Sequence, residues 1–267
     1  MTEGHLDATI MVAYLKQLER TDEALSAATA KADRILNEIE EMVAKNCTAV
    51  DIAYTPADLS RLKKAGKKAV MLGIENGYAI GKDITNVERF RHRGVVYMTL
   101  CHNGNNDICG SARYNEEELG VSTFGEQVIK EMNRVGMMVD ISHAGEKSFY
   151  DALEISSKPI VASHSSARAL CDHPRNLTDD QLKALAAKGG VAQVCMYGGF
   201  LRKNGEATIK DAIEHLNHMV NVMGIEHVGI GTDFDGDGGI TGCASASELI
   251  TLHAGCCWKD IVKKVSA

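Results

Sequence analysis

Apolar runs rich in β-branched residues recur along the chain, each closed by polar or glycine residues, at 8–15, 68–75, 95–102, 136–143, 159–164, 190–197 and 227–233. Runs of this length and composition predict buried strands. Between them, apolar positions follow helical spacing over 22–44, 56–64, 86–93, 122–135, 146–156, 179–188 and 209–223. Thr55-Pro56-Ala57-Asp58 supplies an N-cap followed by proline at the first helical position, and Thr178-Asp179-Asp180-Gln181 reads as a capping box. Gly94, Gly136, Gly189 and Gly224 each follow a predicted helix and precede a strand. Steady alternation of strand and helix implies a parallel sheet. Seven such units predict an α/β fold of the (β/α)8, TIM-like barrel kind, incomplete because its first strand is missing. The stretch 48–53 is short and runs straight into Thr55-Pro56, so it reads as a connector. With no linker, repeat or low-complexity stretch, residues 1–267 are expected to form a single domain.

Composition narrows the partners. Of 267 residues 45% are hydrophobic, and only 3 are proline against 25 glycines, which excludes a disordered or collagen-like chain. A formal charge of −7 provides no global positive field for a nucleic-acid backbone or an anionic membrane, so small molecules are the expected partners. No apolar run approaches the roughly 20 residues of a spanning helix, and residues 1–15 lack the pattern of a secretion leader. The expectation is a soluble, cytoplasmic chain without a membrane segment. The cysteines at 47, 101, 109, 171, 195, 243, 256 and 257 include no C-x-x-C clip and mostly sit in apolar runs, which predicts reduced core thiols. The adjacent Cys256 and Cys257 lack the neighbours of a metal clip.

Parallel α/β folds place their chemistry at the carboxyl ends of the strands. Here the runs end in Glu75, His102, His143, His164 and Asp233. Two imidazoles and a carboxylate converging on one rim are what a zinc-type ion needs, and a further carboxylate can accept the proton of a bound water. The acidic stretch from Asp233 to Gly238 is not a calcium loop, since the glutamate required at its twelfth position would fall on Ala244.

Gly73-Ile74-Glu75-Asn76-Gly77, Tyr97-Met98-Thr99-Leu100-Cys101-His102-Asn103 and Met137-Met138-Val139-Asp140-Ile141-Ser142-His143 resemble successive blocks of the membrane (renal) dipeptidase family of zinc peptidases. Ser163-His164-Ser165-Ser166-Ala167-Arg168-Ala169, His173-Pro174-Arg175-Asn176 and Gly229-Ile230-Gly231-Thr232-Asp233-Phe234-Asp235-Gly236 continue the resemblance in order. It covers about residues 4–249 and implies a distorted barrel whose binuclear zinc site hydrolyses dipeptides. By resemblance, Glu75 corresponds to the carboxylate bridging the two metals, and His143 and His164 to the imidazoles on the second metal. His102 resembles the residue that orients the tetrahedral intermediate, Arg175 the one that holds the dipeptide's free carboxylate, and Asp233 the acid that engages the amine and shuttles the proton.

The family's first strand ends in a His-x-Asp pair on the first metal, and this chain is expected to begin after it. His5-Leu6-Asp7 matches the spacing but precedes a strand, at the rim opposite the chemistry. One tight zinc, rather than the family's two, is therefore expected, with activity impaired by the truncation. Unclosed strand edges favour pairing with another chain, here a homodimer. Beyond 249 the family pattern is lost. Two alternatives remain at this level: a catalytically inactive barrel remnant that binds metal or peptide, and another barrel metallohydrolase acting on cyclic amides, which would give no reason for the His-Pro-Arg-Asn block.

Overall fold

The computed structural model describes residues 1–114 and 117–255. Among the described residues there are eight strands: β1 (Ala8–Tyr14), β2 (Val50–Ile52), β3 (Lys68–Glu75), β4 (Val95–Thr99), β5 (Met138–Asp140), β6 (Val161–Ala162), β7 (Val191–Cys195) and β8 (Val228–Gly231). The helices between them are α1 (Asp22–Lys45), α2 (Pro56–Lys64), α3 (Thr85–His92), α4 (Thr123–Val135), α5 (Glu146–Ile155), α6 (Asp179–Ala187), α7 (Gly198–Leu201) and α8 (Ile209–Met223), and α9 (Leu249–Gly255) follows β8. The pairs β1–β3, β2–β3, β3–β4, β4–β5, β5–β6 and β7–β8 are all parallel. The fold is α/β with the strand–helix alternation of an incomplete (β/α)8 barrel, as the sequence predicts. Residues 256–267, with Cys256 and Cys257, lie outside the described residues. Among those described, no helix is long and apolar enough to cross a membrane.

Contacts group the chain into two compact units, one running from Asp7 to Val161 and the other comprising Met1–Leu6 and the chain from Ala162 onward. In the first, β3 is central. It pairs with β1 along its whole length, Ala8↔Ala69 to Tyr14↔Glu75, and its last residues pair with β4. The first residues of β3 pair with β2, Val50↔Lys68 to Ile52↔Val70. The stretch expected to be a connector is thus a strand. Its three residues are too few to show a period, and only the backbone bonds to β3 reveal it. The amphipathic spacing of α1 buries Leu25, Ala28, Ala32, Leu36, Ile39 and Val43 along one stripe. Thr21 caps that helix by accepting from Ala24 N. Helix α4 stops at Gly136, whose φ of 75° is left-handed backbone that a glycine adopts without strain.

In the second unit β7 and β8 pair from Ala192↔Val228 to Cys195↔Gly231, and Ser165 N donates to Gln193 O at 2.8 Å. At Gly231 a Cβ would lie 1.8 Å from the Ser163 carbonyl oxygen, so only glycine permits this approach. The predicted capping box forms at α6: Thr178 Oγ1 accepts from Gln181 N at 3.2 Å, and Gln181 Oε1 accepts from Thr178 N at 2.9 Å. Thr178→Ala is expected to cost about 1 kcal/mol in urea unfolding, and Thr178→Ser much less, since serine keeps the acceptor.

Of the described cysteines, 101, 109, 171, 195 and 243 are buried and Cys47 is exposed, and none of these six forms a disulfide.

Candidate functional site

The strands end earlier than the apolar runs suggest. β4, β5, β6 and β8 stop at Thr99, Asp140, Ala162 and Gly231, so His102, His143, His164 and Asp233 stand in the turns just beyond. The cause is backbone direction, to which hydropathy is blind: His143 and Asp233 have φ of 69° and 59°, left-handed values that end a strand. Asn76, immediately after Glu75, does the same at φ 89°. Side chains other than glycine rarely hold this conformation, and their clustering beside candidate site residues marks positions where chemistry outweighs local comfort.

Register aligns these turns. Glu75 pairs with Thr99, Thr99 with Asp140, and Asp140 with Val161, so one row of paired residues crosses β3, β4, β5 and β6. His102, His143 and His164 each follow a member of that row by three positions. Equal offsets beyond a parallel register carry His102 and His143 to the same rim, the carboxyl end at which Glu75 closes β3, and His164 follows Val161 by the same count.

Within the first unit, the Glu75 carboxylate meets two of them. Glu75 Oε1 lies 3.1 Å from His143 Nε2 and 3.8 Å from His102 Nε2, and the two imidazole centroids are 4.2 Å apart. Tyr14 at the end of β1 packs edge-on against His102, with ring centroids 4.9 Å apart. Asn103 Oδ1, 3.1 Å from His143 Nδ1, places the ring proton on that nitrogen. The Nε2 lone pair then faces a carboxylate oxygen, an arrangement that a shared cation relieves. Behind this pair, buried Asp140 accepts from Thr99 Oγ1 at 2.6 Å and from Ser142 N at 3.0 Å, which braces the turn into His143.

In the second unit, Ser163 Oγ lies 2.8 Å from His164 Nδ1, so this ring too is oriented through Nδ1. Arg175 is buried, donates from Nη2 to His164 O at 3.4 Å, and holds its guanidinium 5.2 Å from the Phe200 ring centroid. Burial pushes the Asp233 carboxyl up to about 6, with the negative charge of Asp235 adding to the rise and the Arg175 cation opposing it. Gly236 N and Gly238 N both donate to Asp233 O, at 3.1 and 2.8 Å, and Asp235 and Asp237 point to solvent, so this stretch is a turn.

Among the described residues the candidate metal ligands are Glu75, His143 and His164. One oxygen and two imidazole nitrogens suit a borderline divalent ion, and both rings carry the orienting Nδ1 partner typical of metal-bound histidine. Asp7, by contrast, is held by Lys63 at 2.9 Å and Lys68 at 3.3 Å before β1 begins, and these ammonium groups keep its carboxyl below the usual range. His5 is exposed. The supporting residues Asn103, Ser163 and Asp140 escape a reading of sequence alone; the signal for each would have been a polar side chain within three positions of a predicted strand end.

A family model described as membrane dipeptidase, peptidase family M19, matches residues 1–256. An uncharacterized dipeptidase of Schizosaccharomyces pombe is 42% identical over 183 residues, 67% of this chain and 44% of that protein. Dipeptidase 3 of Mus musculus is 32% identical over 212 residues, 78% of this chain and 43% of that protein. The chain thus spans less than half the length of these curated relatives. Among solved structures, the dipeptidase AC, a metallopeptidase of family M19, superposes with a TM-score of 0.87 at 25% identity, covering 95% of this chain and 80% of that one. With its six sequence blocks in order and its candidate ligands at the strand tips, the chain belongs to the membrane dipeptidase family, M19, whose members are metallopeptidases.

Proposed function

We propose that this chain hydrolyses dipeptides with a zinc ion held by Glu75, His143 and His164. The observation that carries the reading is the common register of the strand tips, which sets His102, His143 and His164 at equal offsets past one row of paired residues that begins at Glu75. When bound, such an ion lowers the pKa of its water and polarises the carbonyl it touches.

The chain's own residues supply the rest. Asp233 is ionised for the most part at neutral pH, which lets it attract the dipeptide's ammonium group, and a carboxylate with a pKa near 6 both accepts a proton and returns it to a leaving amine. His102, beside Glu75, is assigned to orient the scissile carbonyl as it becomes tetrahedral. Arg175 is assigned to the free carboxylate, because its planar fork matches two carboxylate oxygens where an ammonium presents a point charge. Family membership and the dipeptidase relatives support this assignment.

The test is a pair of substrates. A dipeptide should be cleaved and its carboxyl-amidated counterpart should not, and Arg175→Lys should raise KM for the dipeptide about tenfold or more with a smaller change in kcat. Equal turnover of the amidated peptide rejects the role of Arg175, and turnover of cyclic amides in preference to dipeptides rejects the activity.

A further inference from the structure

Arg175 sits in a loop that is bonded to itself. Leu177 N donates to Ser166 O at 2.9 Å, Arg168 N to Leu177 O at 2.8 Å, and Ser166 N to Asn176 Oδ1 at 3.1 Å, so the chain from Ser166 to Leu177 closes into a ring. Asn176 Nδ2 donates to Cys171 O inside that ring and to Phe200 O outside it, both at 2.8 Å.

From α8, His215 meets the same loop. Its side chain is buried, Ala167 N donates to its Nδ1 at 3.1 Å, and its Nε2 lies 3.2 Å from Leu201 O. A ring nitrogen that accepts from a backbone N–H carries no proton, so the proton is on Nε2 and is donated to Leu201 O. The burial that pushes the pKa of this imidazole down agrees with a neutral ring. Leu201 follows Phe200, the ring against which the Arg175 guanidinium packs. One imidazole therefore ties the start of the Arg175 loop to the helical turn that carries Arg175's aromatic neighbour.

We propose that His215 is a positioning residue for Arg175: by bonding Ala167 on one side and Leu201 on the other, it sets where the guanidinium presents its fork to a substrate carboxylate. The proposal rests on the reading of Arg175 given above. His215 touches no reacting atom, and its position in mid-helix, far in sequence from Arg175, explains why no motif discloses it.

The test compares His215→Phe, which keeps ring volume and loses both bonds, with His215→Asn, whose Oδ1 restores an acceptor near the Nδ1 position. Should the phenylalanine variant not fold, His215→Gln replaces it, since its longer side chain can reach Leu201 O but places its amide beyond the Nδ1 position. In the metal-loaded protein, the His215→Phe change is expected to speed hydrogen exchange of the Ala167 amide at least roughly tenfold, because a buried donor has lost its acceptor. KM for a dipeptide should rise about tenfold with kcat within about twofold, bound metal should be unchanged, and His215→Asn should recover both exchange protection and KM. Unchanged exchange at Ala167, or a KM that does not follow exchange while Arg175→Lys still raises KM, overturns the proposal. If Arg175→Lys leaves KM unmoved, the reading of Arg175 has failed, and with it any effect of His215 on substrate.

Discussion

Glu75→Ala, His143→Ala and His164→Ala should each release the bound metal, about one equivalent per chain, and lower dipeptide turnover by more than about 1,000-fold. Losing the ion removes both the activated water and the carbonyl polarisation, and loss of a single oxyanion-stabilising partner already costs about 100- to 1,000-fold. The supporting residues should behave differently. Asn103→Ala and Ser163→Ala leave the three ligands in place but free the rings to rotate, so metal affinity should fall by about 10- to 100-fold while saturating zinc restores activity. Asp7→Ala should change neither, since its carboxylate is occupied by Lys63 and Lys68. Elemental analysis after dialysis, and chelator competition for affinity, read these outcomes. A Glu75→Ala protein that keeps its zinc would remove the basis of the assigned site, and occupancy by another divalent ion in preference to zinc would correct the cofactor alone.

Asp233→Asn should divide activity from stability. Turnover should drop by about 100- to 10,000-fold, the range that a positioned general base contributes, because an amide cannot accept the proton. Stability of the metal-free protein should move the other way. The Asp233 carboxyl is raised from 3.8 to about 6 by burial, so the folded state holds this proton more tightly than the unfolded chain does. That preference favours folding in full below about pH 3.8 and is lost as pH rises through 6, leaving ionised Asp233 a cost to the fold at neutral pH. At about 1.4 kcal/mol per unit, the asparagine variant should be roughly 2–3 kcal/mol more stable than the wild type in chelator at pH 7.5, with the gap closing toward pH 4. Urea unfolding across that interval measures it. A variant less stable than wild type at pH 7.5 would show that the carboxylate is braced rather than strained. Under the proposed role of Asp233, the acid limb of kcat/KM should fall near pH 6 and disappear in the variant.

What could be read without coordinates follows from what a one-dimensional pattern records. Lys68–Glu75, Pro56–Lys64 and Ile209–Met223 were legible to the residue, because burial on a face and capping chemistry both leave marks in sequence. Glu75, His102, His143, His164 and Asp233 stood out because polar groups ended apolar runs. Strand β2 was not legible, since Val50–Ile52 becomes a strand only by bonding to Lys68–Val70. Nor was the stopping point of β5, where hydropathy continues to His143 but the backbone turns over after Asp140. Asn103, Ser163 and His215 were invisible for a third reason: each acts through a hydrogen bond whose meaning depends on geometry, and for Asn103 and His215 the partner lies 40 and 48 positions away.

Strands β3, β4, β5 and β6 pair in the order in which they are translated. A growing chain can therefore lay each strand against an edge already made, without waiting for a distant partner. Metal capture by the proposed ligands Glu75, His143 and His164 would not follow the same schedule. Glu75 and His143 emerge with two ligands between them, and the third comes only with His164. At bacterial or eukaryotic elongation speeds of about 5–20 residues per second, that interval is roughly one to four seconds. During it the proposed site would hold an ion only loosely, so the choice among competing cations would fall to the moment when His164 clears the ribosome and β6 settles beside β5.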